Sequence, residues 1–410
     1  MRTILHSDLN NFYASVECVY DPSLKLRPMA VCGDPEARHG IVLAKNMLAK
    51  QAGIQTGEAV WQARQKCPGL VVIAPNHRRY AHFSRMMRDI YARYTHQIEP
   101  FGMDEAWLDV TGHAMSGPEI ADELRARARD ELGVTLSVGV SFNKVFAKLG
   151  SDMKKPDATT VITADNYREK VWPLPAGALL YVGPATRRRL AARNLRTIGD
   201  VARCAPAELR AALGKSGDIL WCYANGLDRS PVMATDQSAP VKSVGNSTTP
   251  PRDICDDREA HAVLLALSES VAGRLRDQRL RGTTVCLWVR DCDLKSFTAQ
   301  HRLRGGTALA SEICRSAMAL FQKHYRWGKP VRSLGISVSG LEDVDGDAQL
   351  SMFPDAGRER RYELEDTVGE IRRKFGSSAI LRASLIGRGE IGICGPLEAG
   401  GVPVGLNARA

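Results

Sequence analysis

Two acidic signatures far apart in the chain constrain its fold more than any other feature. Asp8 ends a short apolar run, and Asp104 and Glu105 open a second run that continues to Val110. A sheet that sets these runs side by side would bring the three carboxylates to one edge. Such an edge suits Mg²⁺, which prefers oxygen ligands, and two ions there can assist an in-line phosphoryl displacement. The alternative is a set of isolated surface acids, the commoner location of Asp and Glu.

Length and charge narrow the classes of protein that fit. A chain of 410 residues is too long for one ordinary hydrophobic core and predicts about two to four domains. It carries 56 Lys and Arg against 46 Asp and Glu, which gives a net charge of +10. This excess favours a polyanionic partner over an acidic substrate or a neutral metabolite.

The cysteines and the hydropathy pattern indicate the compartment. The ten cysteines show neither a C-x-x-C pair nor a Cys/His zinc spacing, as expected of reduced thiols in the cytoplasm. The N-terminus has no apolar signal region of the secretory kind. Apolar runs stay well short of the roughly 20 residues that cross a bilayer. We therefore expect a cytoplasmic protein without membrane contact.

Residues 1–168 alternate between strand and helix patterns. The runs Met29–Cys32 and Thr135–Ser141 are strand-like, and Pro118–Leu132 has the apolar spacing of an amphipathic helix. The pattern predicts a mixed sheet backed by helices. Within it, helical pieces are predicted from Leu43 to Gln51 and from Glu58 to Lys66.

The remaining chain divides by composition. Residues 169–230 are mostly helical, and residues 231–242 have linker composition. Residues 243–342 alternate again, with helices predicted at Glu259–Asp277 and Ala308–His324 and strands at Thr283–Val289 and Leu334–Ser339. An acidic stretch opens the tail, residues 343–410, in which Glu363–Phe375 has a helical pattern.

Four segments resemble the palm signatures of the Y-family (translesion) DNA polymerases. They begin at Asp8 (DLNNFYASVE), Met103 (MDEAWLDVT), Asn143 (NKVFAK) and Asp152 (DMKKP), in the family's order and at similar spacing. The resemblance extends more weakly to about residue 342. It implies an α+β right-hand polymerase, with these parts: a ferredoxin-like palm (1–168), fingers inserted at about 34–78, a helix-hairpin-helix thumb (169–230) and an α/β little-finger domain (243–342).

The resemblance also implies an active site. Asp8 and Asp104 would bridge two Mg²⁺ ions, and Glu105 would complete the ion that activates the primer 3′-hydroxyl. The backbone carbonyl of Leu9 would serve the nucleotide-bound ion. The implied reaction adds deoxynucleoside triphosphates to a primer on a DNA template, in damage tolerance and repair. Asp109, in the same segment, is interpreted as structural.

Further positions correspond to nucleotide contacts of the family. Lys155 corresponds to a lysine on the triphosphate, although the sequence alone leaves Lys154 nearly as good a candidate. Phe12 and Tyr13 carry the sugar-recognition position. Tyr13 is the candidate steric gate against ribonucleotides, with a core aromatic as the alternative. For Phe12 the core interpretation is preferable.

The fingers depart from the family pattern of a hydroxyl residue, a tyrosine and an arginine facing the triphosphate. The matching positions here are Ala44, Met47 and Lys50. Lys50 keeps a positive charge but not the bidentate fork of arginine. We expect triphosphate binding to be weaker or differently arranged, and compensation by Lys45 or Arg38 stays open.

DNA and clamp contacts are implied outside the palm. Gly183 and Ala185 lie at a thumb turn that would present backbone N–H groups to a DNA phosphate. A second glycine is usual where Ala185 stands, so an ordinary helix-packing corner is the alternative. Arg332 is the candidate DNA contact of the little finger. The pentapeptide QLSMF resembles the bacterial sliding-clamp (beta clamp) motif, with these candidate contacts: Gln349, Leu350, Met352 and Phe353.

Three functions are compatible with these features. The leading hypothesis is a monomeric, clamp-tethered DNA polymerase that uses Mg²⁺. A second is a clamp-tethered DNA-binding accessory protein with the same fold and no turnover, which Ala44 and Met47 favour and the intact acidic trio opposes. A third is a palm-based cyclase, which the thumb-like and little-finger-like regions oppose.

Overall fold

The computed structural model describes residues 2–34, 40–237, 240–344, 356–376 and 378–386. These residues form two compact units, of which the first comprises residues 2–32 and 42–237 and the second comprises residues 33–34, 40–41 and the described residues from 240 onward. The change between Gln237 and Pro240 falls inside the predicted linker. In the described ranges, no helix is long and apolar enough to cross a membrane.

The first unit is built on a five-stranded sheet with the strand order β5-β6-β1-β7-β8 and a three-stranded sheet with the order β3-β2-β4. Its strands are β1 (Ile4–Leu9), β2 (Met29–Cys32), β3 (Val42–Lys45), β4 (Val71–Ile73), β5 (Ile98–Pro100), β6 (Glu105–Asp109), β7 (Leu136–Ser141) and β8 (Thr159–Ile162). Its helices are α1 (Phe12–Tyr20), α2 (Met47–Gln51), α3 (Val60–Lys66), α4 (His77–Tyr91), α5 (Gly117–Leu132), α6 (Lys144–Met153), α7 (Tyr167–Val171), α8 (Pro184–Ala191), α9 (Ile198–Arg203), α10 (Pro206–Leu213) and α11 (Lys215–Ala224).

Strand β1 is buried on both faces of the large sheet. Leu5 and Leu9 point into the main core with α1 and α5, whereas Ile4 packs on the other side with Trp107 and Ala147. Alternation along the strand therefore places Asp8 on the face covered by α6. β6 and β7 flank β1, both antiparallel to it.

Helix α5 confirms the predicted amphipathic helix. Ser116 caps its N-terminus by accepting from the Glu119 N–H, and Glu119 accepts from the Ser116 N–H in return. Gly133 ends the helix at φ 70°, a conformation that glycine adopts without steric cost. The predicted apolar face is buried, and replacing Leu124 by Ala would cost about 2–5 kcal/mol of stability.

The predicted helix from Leu43 to Gln51 is wrong in its first half. Residues 43–45 belong to β3, which pairs antiparallel with β2, and α2 begins only at Met47. Asn46 sets this boundary, because its Oδ1 accepts from the N–H groups of both Met29 and Ala49. The next helix, α3, likewise begins at Val60 rather than at Glu58.

Gly139 in β7 allows helix α6 to lie unusually close to the sheet. A Cβ atom built at this position would be 1.9 Å from the carbonyl oxygen of Ala147 in α6. Only glycine can occupy this position without moving the helix. Asn143 starts α6 by accepting from the Phe146 N–H at 2.8 Å.

The helices α7 to α11 pack together with α6 and β8 around a second core of the first unit. Leu190, Ile198, Leu209 and Leu220 are buried in it. The predicted helical character of residues 169–230 is thereby confirmed. Their assignment as a thumb stays a prediction.

The second unit is a four-stranded antiparallel sheet in the order β11-β10-β12-β9, covered by helices. Its elements are β9 (Ser243–Thr248), α12 (Asp257–Asp277), β10 (Leu280–Asp291), β11 (Ser296–Thr307), α13 (Ala310–His324), β12 (Val331–Asp343) and α14 (Ala356–Phe375). Val285 and Leu287 are buried in the core that includes α12 and α13. Thr284 and Trp288, which alternate with them along β10, are only partly buried.

Helix α14 confirms the predicted terminal helix and packs within the second unit. Glu365 accepts from Arg276 at 2.7 Å and from the Ala310 N–H at 3.0 Å. Glu269 accepts from Arg372 at 3.2 Å and from Arg382 at 2.5 Å. These contacts attach α14 and the residues after it to α12 and α13.

Candidate active site

The three predicted carboxylates meet at the junction of β1 and β6. Asp8 and Glu105 are direct partners in the antiparallel register. Asp104 immediately precedes β6, and its carbonyl accepts from the Leu9 N–H at 3.0 Å. The structure thus brings Asp8, Leu9, Asp104 and Glu105 together, as the sequence predicts.

The carboxylates of this cluster, defined as Asp8, Asp104 and Glu105, disfavour one another's charge. Burial, and then the charges of Glu105 and Asp8, raise the pKa of Asp104 to about 7. Burial and the charge of Glu105 also raise the pKa of Asp8. The negative charges of the three carboxylates are therefore not fully balanced by nearby positive charge.

Two lysines supply part of that charge. Lys155 Nζ lies 2.7 Å from Asp8 Oδ2 and 2.9 Å from Asp152 Oδ1. Lys154, the alternative left open by the sequence, has an exposed side chain. Both lysines are exposed, so it is the contacts of Lys155 with Asp8 and Asp152 that place it at the acidic cluster.

Sequence reasoning missed Lys148. Its Nζ lies 3.2 Å from Asp8 Oδ2 and 3.0 Å from Glu105 Oε2, and also 3.2 Å from Asp152. Burial of this amine acts to lower its pKa. The negative charges of Glu105 and Asp8 have the larger effect, so the pKa of Lys148 is raised. The available signal was its place inside the NKVFAK segment, four residues before Asp152 on the same helix face.

His6 is a second residue that sequence reasoning did not single out. It is fully buried, and its Nδ1 lies 2.9 Å from Ser151 Oγ. Its Nε2 lies 3.4 Å from Glu105 Oε2 and has no hydrogen-bond partner. Burial and then the nearby Lys148 hold the pKa of His6 well below its usual value, so the ring is neutral.

Tyr13 lies beside the carboxylates, and Phe12 lies in the core. Tyr13 stacks on Tyr80 with ring centroids 4.1 Å apart, and its hydroxyl contacts Met103 Sδ at 3.5 Å. Burial, and then the charge of Asp104, raise the pKa of Tyr13. Phe12 is 3% exposed, as expected of a core aromatic.

The fingers residues differ in burial and in their contacts. Ala44 packs against the main core, and Lys50 has an exposed side chain in α2. Lys45 Nζ donates to Thr56 Oγ1 at 3.1 Å. Burial, and then the charge of Lys50, lower the pKa of Lys45. Arg38 lies outside the described residues.

The donor chemistry of the acidic cluster fits divalent cations. Glu105 Oε2 is buried, and its approach to Lys148 lacks the geometry of a hydrogen bond. Mutual repulsion of the carboxylates is what a cation would relieve. In the described ranges, no three His, Cys, Asp or Glu side chains converge closely enough to hold an ion as they stand. Metal binding therefore requires Asp8 and Glu105 to turn from the lysines.

Asp109 has the contacts of a structural residue. Its Oδ1 accepts from the Thr111 N–H at 3.0 Å, and its Oδ2 lies 3.8 Å from Arg2. It lies at the far end of β6 from Glu105, paired with Ile4.

The predicted DNA contacts lie in two different regions. Gly183 precedes α8 with an extended backbone, and a Cβ there would meet nothing within 4 Å. Gly183 and Ala185 are exposed, and three arginines follow them in α8. Arg332 lies in β12 with a partly exposed side chain. The predicted clamp peptide at residues 349–353 lies outside the described residues.

Two family models match the chain. The model described as the impB/mucB/samB family matches residues 7–152, and that of the family's C-terminal domain matches residues 241–352. Both acidic signatures fall in the first match. The sheet and helices α12 and α13 of the second unit fall in the second.

Similar proteins cover nearly the whole chain. DNA polymerase IV of Acetivibrio thermocellus is 49% identical over 389 residues, 94% of this chain and 98% of that protein. DNA polymerase IV of Pelotomaculum thermopropionicum is 39% identical over 383 residues, 93% of this chain and 94% of that protein. A solved Y-family DNA polymerase chimera matches with a TM-score of 0.73 at 22% identity, covering 83% of this chain and 99% of the chimera. The chain therefore belongs to the impB/mucB/samB family and is a Y-family, metal-dependent, DNA-directed DNA polymerase.

Proposed function

We propose that this polymerase extends a primer 3′ end by a two-metal mechanism at the acidic cluster, with Mg²⁺ as the metal. The observation that carries the proposal is the strand register that pairs Asp8 with Glu105 and sets Asp104 beside them, where burial, and then the charges of Glu105 and Asp8, raise the pKa of Asp104 to about 7. When bound, two such cations activate the primer hydroxyl and neutralise the triphosphate and the departing pyrophosphate.

The protein's own groups would position the reactants. Asp8 and Asp104 would hold both ions, Glu105 the ion at the primer end, and the Leu9 carbonyl the ion at the nucleotide. Lys155, already 2.7 Å from Asp8, would turn its ammonium to the triphosphate and offset charge there. Lys50 would add a point charge from the fingers.

Primer extension with Mg²⁺ and the four deoxynucleoside triphosphates tests this mechanism. Asp104→Asn should abolish extension, because it removes one ligand of both ions. Asp109→Asn is the matched control, since Asp109 lies on the same strand segment but contacts Arg2 and Thr111. If the wild-type protein extends the primer and Asp104→Asn does so equally, the proposed ligand set is contradicted. If the wild-type protein does not extend the primer, the alternative hypothesis of a DNA-binding accessory protein without turnover is favoured.

Tyr13 is proposed as the steric gate. Its ring is held by stacking on Tyr80 next to the acidic cluster, where a sugar would lie. Tyr13→Ala should raise ribonucleotide incorporation relative to deoxynucleotides by about 10-fold or more. Tyr13→Phe, which keeps the ring, is the control. Equal exclusion of ribonucleotides by both variants would remove Tyr13 as the gate.

Copying of damaged DNA in repair and damage tolerance is proposed from the family resemblance. Extension past an abasic site, compared with an undamaged template of the same sequence, tests it. A protein that extends the undamaged template and always stops before the lesion would contradict the proposal for that lesion.

We propose that residues 169–230 of the first unit, as thumb, and residues 243–342 of the second unit, as little finger, each contact DNA. Exposed Gly183 and Ala185 at the start of α8 would present backbone N–H groups to a phosphate. Arg332 and the partly exposed face of β10 would contact the backbone of the duplex. The proposed domains keep the predicted bounds: palm 1–168 with fingers at about 34–78, thumb 169–230, linker 231–242, little finger 243–342 and tail 343–410.

A sliding clamp is the proposed partner of a monomeric polymerase. The residues Gln349, Leu350, Met352 and Phe353 would dock in its groove and raise the local concentration of enzyme at the primer end. Phe353→Ala should lose stimulation by the beta clamp while keeping clamp-free activity. Phe375→Ala, a change at an exposed phenylalanine of the same tail, is the control. Undiminished stimulation of Phe353→Ala would contradict the assignment.

A further inference from the structure

His6 occupies a buried position directly behind the acidic cluster. It lies on β1 two residues before Asp8 and therefore on the same face of the sheet, under helix α6. One edge of the ring faces Ser151, and Trp107 packs against it at 5.2 Å between centroids. The other edge, with Nε2, faces Glu105. The imidazole thus links helix α6 to a proposed metal ligand.

The two polar atoms that face each other at the Nε2 edge of the ring, one from His6 and one from Glu105, lack a hydrogen bond. His6 Nε2 and Glu105 Oε2 are buried, are 3.4 Å apart, and neither has a hydrogen-bond partner. A buried polar group without a hydrogen bond is unfavourable, and Glu105 Oε2 at present has only its ion pair with Lys148 at 3.0 Å. The separation from His6 Nε2 exceeds the roughly 2.7–3.2 Å of an N–H···O bond, so a small rotation of Glu105 is needed to form one.

The proton on the ring can occupy either nitrogen. Ser151 Oγ donates to the Lys148 carbonyl at 2.8 Å, which leaves it as acceptor for a proton on His6 Nδ1. If the Ser151 hydroxyl turns to His6 instead, Nδ1 accepts and the proton lies on Nε2, facing Glu105. Ser151 permits both tautomers, because its hydroxyl can donate in either direction.

We infer that His6 is a positioning residue that donates from Nε2 to Glu105 Oε2 and so orients this carboxylate for the cation it would hold. A cation held by Glu105 would repel the Lys148 ammonium that now lies 3.0 Å from this carboxylate. The imidazole would then be the remaining fixed neighbour of Oε2. A partner behind a metal ligand commonly changes metal affinity or activity 10- to 100-fold. The inference rests on the proposed role of Glu105.

Two substitutions separate positioning from packing. In His6→Gln the amide nitrogen can reach the place of Nε2, whereas in His6→Asn it reaches only the place of Nδ1 and so faces Ser151. Both put an amide into the same fully buried site next to Trp107, so their packing losses differ only by one methylene group, which thermal unfolding measures. Thermal unfolding and affinity for primer-template DNA serve as controls for folding.

The first readout is the Mg²⁺ concentration that half-saturates single-nucleotide incorporation. The second is Mn²⁺ affinity measured by electron paramagnetic resonance in a complex with a chain-terminated primer and the next nucleotide, which needs no turnover. We expect His6→Asn to weaken both about 10-fold, and His6→Gln to stay within about 3-fold of wild type. Equal behaviour of the two variants, or wild-type metal affinity in His6→Asn, would overturn the inference.

A measurement on the wild-type protein covers the case in which a variant does not fold. The ¹⁵N chemical shifts of labelled histidine report which ring nitrogen carries the proton. We expect the His6 proton on Nε2 in the metal-loaded complex; a proton on Nδ1 there would contradict the inference. Absence of Mg²⁺-dependent extension by wild type would instead contradict the proposed function. If Glu105→Gln impairs metal binding and His6→Asn does not, the proposed role of Glu105 stands and the inference about His6 is wrong.

Discussion

Each unit contains buried acids, but the two groups differ in how far their charges are matched. In the second unit, Glu269 and Glu365 each accept two hydrogen bonds or more, from arginines and a backbone N–H. In the first unit, Glu105 Oε2 lacks a hydrogen bond, and the pKa of Asp104 is raised to about 7. A matched group of buried charges holds helices together, whereas an unmatched group has charge that a bound cation would neutralise.

Glu105→Gln should show the largest effect. Removing this charge should lower primer extension about 100-fold or more, because the ion at the primer end loses a ligand. Stability should stay unchanged or rise, since repulsion with Asp8 and Asp104 falls. Single-turnover kinetics and thermal unfolding measure the two effects. A large loss of stability would mean that the acidic cluster is structural, like that of the second unit.

Glu269→Gln should have the opposite result. It weakens the contacts to Arg372 and Arg382 and should destabilise the attachment of α14 by about 2–3 kcal/mol. Hydrogen exchange of the α14 amides measures this loss. The single-turnover rate with saturating DNA should not change. Unchanged exchange would show that the matched charges contribute little to holding the helix.

The pH dependence should also differ between the two groups. The raised pKa of Asp104 means that the folded protein binds this proton more tightly than the unfolded chain, whose carboxyl has a pKa near 3.8. The contribution of Asp104 to stability without metal should therefore fall as pH rises from about 4 to about 7. Denaturant unfolding of wild type and Asp104→Asn in a chelator at several pH values isolates this contribution, because carboxyl groups with lowered pKa values, such as Asp152 and Glu259, act in the opposite direction in both proteins. The same pH dependence in both proteins would contradict the assignment.

Mg²⁺ should have the smallest effect on stability. At ten times its dissociation constant, a ligand that binds only the folded state stabilises by about 1.4 kcal/mol. Wild type should gain this increment in thermal unfolding, whereas Glu105→Gln should gain less. Glu269→Gln should gain as much as wild type. Equal gains in all three proteins would place the ion outside the acidic cluster.

Local signals explain which parts of this site could be predicted. Asp8, Asp104 and Glu105 lie beside strand-like runs, and their meeting needs only the pairing of β1 with β6. Lys148 and His6 were missed because their roles depend on how closely α6 approaches the sheet, a contact between distant segments. The helix predicted from Leu43 failed for a similar reason, since pairing with β2 outweighed local preference.

Because Gly139 has no side chain, it also limits which amino-acid substitutions the enzyme can accept. Helix α6 carries both Lys148 and Ser151, and any larger residue at position 139 would push it off the sheet. Lys148 and Ser151, the hydrogen-bond partner of His6, would then shift together relative to the carboxylates. A substitution at Gly139 would therefore change the distances from Lys148 and Ser151 to the carboxylates. In a search for improved variants, position 139 should tolerate as little diversity as the proposed metal ligands.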